Sequence, residues 1–116
     1  MNKKQLKMIK NYLAINGGAT MDHQLNFTAL NGGFMVSLQN YEKKTTLKKL
    51  NNKTIKQYQK LAKEKNAFIG FWIDGDVLYI DLSVNILNKM QAIATGRKHK
   101  QFAIYDLKEN KSIYIN

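Results

Sequence analysis

The chain has 116 residues, 44% of them apolar, with no cysteine and no proline: enough for one domain with an ordinary core, and incompatible with disulfide frameworks or thiolate metal sites. Nineteen Lys and Arg against eight Asp and Glu give a net charge of +11, which draws polyanions through counterion release whatever their sequence. No stretch approaches the ~18–20 apolar residues of a membrane span, and the basic start Met1-Asn2-Lys3-Lys4 lacks the apolar run of a signal peptide, so a cytoplasmic protein with no membrane partner is expected.

In chain order, Leu6, Ile9 and Leu13 fall at spacings of three and four and predict a helix over residues 3–15. Asn16-Gly17-Gly18 stops it. Residues 16–33 read as irregular, with a short strand near 19–21 and a turn at Asn31-Gly32-Gly33. Residues 34–38 alternate as a strand with Phe34, Val36 and Leu38 inward. Residues 42–65 hold nine Lys and two Glu. Within them Asn52 is placed to cap a helix over 53–65, buried through Ile55, Tyr58, Leu61 and Ala62.

Residues 68–73 and 77–82 are apolar, aromatic and β-branched runs joined at Asp74-Gly75, a hairpin signature of the type I′ turn. That turn pairs Trp72 with Val77, Phe71 with Leu78 and Gly70 with Tyr79. Ile69, Phe71, Leu78, Ile80 and Leu82 then make one apolar face, while Phe68, Gly70, Trp72, Val77, Tyr79 and Asp81 make the other. Asn85 is placed to cap a third helix over 86–95, with Ile86, Met90 and Ile93 inward and Gly96 as its stop. A basic loop, Arg97-Lys98-His99-Lys100, follows, and residues 102–106 and 112–115 form a closing hairpin.

The whole reads as one α+β domain over residues 1–116, an antiparallel sheet with helices on one face, ordered α-β-α-β-β-α-β-β. From Phe34 onward the first six elements match the split βαβ, ferredoxin-like arrangement.

Catalytic chemistry finds little in these residues. His23 and His99 are the two histidines, neither in a recognisable motif, and Asp22-His23 has no nucleophile elbow beside it. Asp74, Asp76 and Asp81 match no calcium-loop spacing, and neither Gly pair opens a helix as a phosphate loop requires. No cofactor, metal or enzymatic activity is therefore expected.

Binding has more support. Trp72 and Tyr79, with Tyr105 and Tyr114, can form a sheet platform for stacking single-stranded bases. Lys53, Lys56, Lys60 and Lys63 share a helix face able to track phosphates, as do Lys3, Lys7 and Lys10, and Arg97, Lys98 and Lys100 add a basic loop. Each has a plainer alternative: solvated lysine faces, or aromatics turned to core by the first helix. An AT-rich genome also accounts for the abundance of Lys, Asn and Ile.

Several segments together carry a resemblance: Gly17-Gly18-Ala19-Thr20, Gly33-Phe34-Met35-Val36-Ser37-Leu38 with Tyr41-Glu42, Phe68-Ile69-Gly70-Phe71-Trp72, Tyr79-Ile80-Asp81-Leu82-Ser83, and Gln101-Phe102-Ala103-Ile104-Tyr105-Asp106-Leu107. They resemble small proteins of bacteriophages and other mobile elements of Firmicutes and Actinobacteria, a group with no assigned chemistry. The resemblance implies an accessory protein of such an element. With the charge, the leading expectation is a non-enzymatic binder of nucleic acid or a nucleoprotein complex. The alternative is a protein-binding inhibitor of a host defence system, of the anti-CRISPR type.

Overall fold

The computed structural model describes residues 3–115. Met1, Asn2 and Asn116, which the single-domain expectation includes, lie outside the described residues. Three helices, α1 (Lys3–Asn16), α2 (Asn52–Lys65) and α3 (Lys89–Lys98), accompany seven strands: β1 (Gly18–Met21), β2 (Phe34–Ser37), β3 (Lys43–Thr45), β4 (Phe68–Asp74), β5 (Val77–Ile86), β6 (Ala103–Asp106) and β7 (Lys111–Tyr114). All pairings are antiparallel, in the order β1-β4-β5-β2-β6-β7, with β3 also pairing β5. The expected α+β class holds. Its inner strands β4-β5-β2-β6, with α2 and α3 as crossovers, have the split βαβ connectivity. β1 and β7 extend the two edges, so residues 16–33 are not wholly irregular.

The ten-residue β5 organises the sheet. One side of it pairs with β4 from Val77 to Ser83; the other is shared, Leu78–Ile80 meeting β3 and Ser83–Ile86 meeting β2. Leu38 N–H donates to Leu82 O between the two.

All three helices cover the same face. Ile9 and Leu13 of α1 and Ile55, Tyr58 and Ala62 of α2 pack in one cluster with Met21, Ile69, Phe71, Leu78, Ile80 and Leu82. Ala92 of α3 packs with Val36, Ile104 and Ile115, which share that face by strand register. Alternation along each strand sends the intervening residues to the opposite side.

Several boundaries differ from expectation. The hairpin turns at Gly75-Asp76, one residue later than expected, so Trp72 pairs with Tyr79 and Gly70 with Asp81. Gly75 has φ +60°, whereas Asp76 is not among the positive-φ residues. That leaves glycine alone at the first central position, the type II′ preference, rather than both positions at positive φ as type I′ demands. The register moves by two residues, and a shift of two preserves which face each side chain occupies. The two predicted faces therefore stand.

Asn51, not Asn52, caps α2, its side chain accepting from Thr54 N–H. The third helix begins at Lys89 under an Asn88 cap; Ile86 instead continues β5, and Met90 is 74% exposed. Gly96 does not stop α3. It lies buried within it, and a Cβ there would sit 3.0 Å from Ile104 Cγ2, so the missing side chain lets the helix approach the sheet. Arg97 and Lys98 form the last turn of α3 rather than a loop. Among the described residues no helix is long and apolar enough to cross a membrane.

Candidate functional site

Because every helix lies on the aliphatic side, the other side of the sheet is open, and α1 does not cover it. Trp72 is 47% exposed and stacks on Tyr79, its cross-strand neighbour, with ring centroids 4.2 Å apart and planes 10° from parallel. Lys44 stands opposite Tyr79 on β3, its Nζ 5.6 Å from the ring centroid. Three strands thus contribute a row in which a cation flanks one ring of an aromatic stack. Tyr105 and Tyr114 occupy the same face on β6 and β7, both exposed.

Beyond that row lies a trough of about 750 Å³ whose lining includes Thr20, Ser37, Gly70 and Ser83, with Trp72 on one side and Tyr105 on the other. Its volume falls within the ~300–1,000 Å³ typical of small-molecule sites. Asp81 lies at its centre, directly across from Gly70. Ser37 Oγ donates to Asp81 Oδ2 at 3.0 Å. Asp81 Oδ1 occupies the space a Cβ on Gly70 would take, so glycine at that position is what admits the carboxylate. Burial pushes the Asp81 carboxyl above its ordinary value; the Ser37 hydrogen bond opposes this, Glu42 adds to it, and Ser83 opposes it. The same carboxylate, after burial, helps push the Tyr58 phenol up to about 12, with Glu42 contributing least.

A smaller recess continues from Ser37 and Asp81 to Glu42, His99 and Lys100. There Gln39 N–H donates to His99 Nδ1 at 3.1 Å, tying the turn after β2 to the end of α3.

The expected binding residues divide between two sides. Trp72 and Tyr79 come together, and Lys100 reaches the recess that opens off their trough. Lys53, Lys56, Lys60 and Lys63 are all exposed on α2, the helix that packs against the opposite face of the sheet. Lys56, Lys60 and Lys63 line a separate groove with His23 and Gln24. Arg97 and Lys98 are exposed at the end of α3, where Arg97 Nε donates to Ile115 O.

Asp22 Oδ1 accepts from Gln24 and Asn26 N–H, both at 2.9 Å, shaping its own loop. Asp74 and Asp76 lie at the hairpin end while Asp81 lies in the trough. Among the described residues no three His, Cys, Asp or Glu gather as a metal-binding group.

Sequence reasoning missed Lys44, because a three-residue edge strand of Lys43, Lys44 and Thr45 carries no apolar alternation. It saw Asp81 as the lone acid of an aromatic face and as one of three acids matching no calcium loop; the unbroken period-2 pattern from Val77 to Leu82 was the signal that placed it beside Tyr79. No family model, curated protein or solved structure matches this chain, so its chemistry carries the functional reading.

Proposed function

We propose that this is a non-enzymatic accessory protein of a mobile genetic element that binds single-stranded nucleic acid, free or within a nucleoprotein complex, on the helix-free face of its sheet. The observation that carries this reading is the row Trp72–Tyr79–Lys44, in which Trp72 and Lys44 are exposed and Tyr79 is half-buried beneath the stack. A base has a π face whatever its identity, and stacking one on an exposed aromatic contributes ~1–3 kcal/mol. A lysine beside the stack suits the accompanying phosphate, and the net charge of +11 supplies the long-range attraction.

Trp72 is the single tryptophan, so its fluorescence reports on this face without labelling. Addition of a single-stranded oligonucleotide is expected to quench it in a salt-dependent manner, and Trp72→Ala is expected to weaken binding by ~1–3 kcal/mol. Binding with no quench and no effect of Trp72→Ala would move the interface off this face.

A second reading, an inhibitor that docks on an acidic patch of a host defence protein, is supported by the separate lysine groove on α2. It predicts that the α2 lysines, and not Trp72, control partner binding.

A further inference from the structure

We infer that the trough beside Trp72 is a base-reading subsite, in which Asp81 accepts hydrogen bonds from the amino group of a nucleobase and selects cytosine and adenine over thymine and uracil. This inference rests on the proposed single-strand binding and adds its specificity.

A carboxylate at the centre of a polyanion-binding face is otherwise a liability. It repels phosphate, and in a protein of net charge +11 nothing general favours an acid there. The surroundings nevertheless hold it in place. Ser37 Oγ anchors Oδ2 at 3.0 Å, and Gly70 leaves the room that Oδ1 occupies. Repulsion from Asp81 sends the phosphates outward, toward Lys44 on β3 and Lys100 in the adjoining recess, so the groups that turn into the trough are bases.

What such a base meets is a flat slot. Trp72 and Tyr105 stand at its sides, Ser37 and Ser83 line it between them, and Thr20 lies on β1 beyond the strand of Trp72. An ionised carboxylate only accepts hydrogen bonds. Burial outweighs the hydroxyl hydrogen bonds that the Asp81 carboxylate receives from Ser37 and Ser83, so a further donor stabilises its ionised form. An exocyclic amine supplies one, as in the pairing of Asp or Glu with cytosine N4. Thymine and uracil carry a carbonyl oxygen where cytosine carries that amine, and the two carbonyl oxygens flanking their N3–H repel a carboxylate, so they are disfavoured.

The test measures binding of labelled dC and dT decamers, a pair matched in ring size, with dA as a third arm, in low salt. The wild-type protein is expected to bind dC and dA at least about fivefold more tightly than dT, the lower end of what one good base contact discriminates. Asp81→Asn offers the base both an acceptor and a donor, and its carbonyl can still accept from Ser37. It is expected to bring the dC-to-dT ratio close to one, with dT affinity equal or higher. Trp72→Ala is expected to weaken all three alike and to keep the ratio. Equal binding of dC and dT by the wild type, or a ratio that survives Asp81→Asn, overturns base reading while the stacking face stands. Binding to none of the three removes the stacking face, and this inference with it.

Discussion

The two faces of the sheet are built from the same strands and have opposite fates. On β4 and β5, Ile69, Phe71, Leu78, Ile80 and Leu82 are all at most 3% exposed, while Trp72, Tyr79 and Asp81 between them remain accessible. The buried set is aliphatic apart from Phe71, branched at several positions, and matched by stripes on α1 and α2. The open set mixes flat rings with a carboxylate, hydroxyls and glycine. Aliphatic side chains gain by leaving water and interdigitating, whereas rings with polar neighbours keep a surface available for another flat partner. The difference teaches that hydrophobicity alone does not decide what the helices cover; the polar groups interspersed among the rings do.

The largest expected effect comes from comparing one residue on each face. Ile80→Ala is expected to cost ~2–5 kcal/mol in chemical denaturation, close to the whole stability of a small domain. Trp72→Ala removes only a cross-strand stack from the open face and is expected to cost about 1 kcal/mol. Similar losses for the two would erase the distinction between core and platform.

The next separates the two basic regions. The molecule spans 24 Å along its shortest axis, well beyond the screening length of about 8 Å at physiological ionic strength. Replacing Lys53, Lys56, Lys60 and Lys63 together by Gln is therefore expected to leave the slope of log K against log salt for an oligonucleotide nearly unchanged. Lys44→Gln alone is expected to flatten it by roughly 0.7, the value for one phosphate contact on a single strand. A flattening of about three units in the quadruple variant would relocate the nucleic acid to α2.

The smallest effect concerns pH. The Asp81 carboxyl is raised in the fold, chiefly by burial. Its favourable contribution is thus complete below the ordinary carboxylate value and is lost as pH rises through the folded value. Asp81→Asn, which carries no charge, is expected to be more stable than the wild type at neutral pH. The gap should close below the ordinary value of 3.8, as read by thermal unfolding across pH. Destabilisation by Asp81→Asn at pH 7 would mean that the carboxylate is held by favourable interactions rather than against them.

Much of this was legible in the sequence because period-2 alternation is robust to small errors. The hairpin register was two residues off, yet both faces were assigned correctly, since only odd shifts exchange them. Helix α2 was legible from the spacing of Ile55, Tyr58 and Ala62, and its cap moved by a single asparagine within Asn51-Asn52. The third helix was less so. The segment from Ser83 to Leu87 suits a strand or a helix equally by periodicity, and pairing with β2 decided in favour of the strand. Gly96 read as a helix stop because its local preference is clear, whereas the contact with Ile104 that requires it comes from residues distant in the chain. Which side α1 covers was also beyond local pattern, since its stripe of Ile9 and Leu13 fits either face. Only the joint packing with Met21 and α2 settles it.

The shared edge of β5 has a dynamic consequence. β3 meets it over three residues near the hairpin, β2 meets it near the far end, and Asp81 lies where one partner gives way to the other. A three-residue ladder at a sheet edge is among the first to open in local fluctuations, which need not disturb the central β4–β5 pairing. Lys44 rides on that short ladder while Trp72 and Tyr79 ride on the long one. The ring stack is thus carried by the long β4–β5 ladder and the lysine beside it by a short one, so Lys44 is expected to move without loosening the rings.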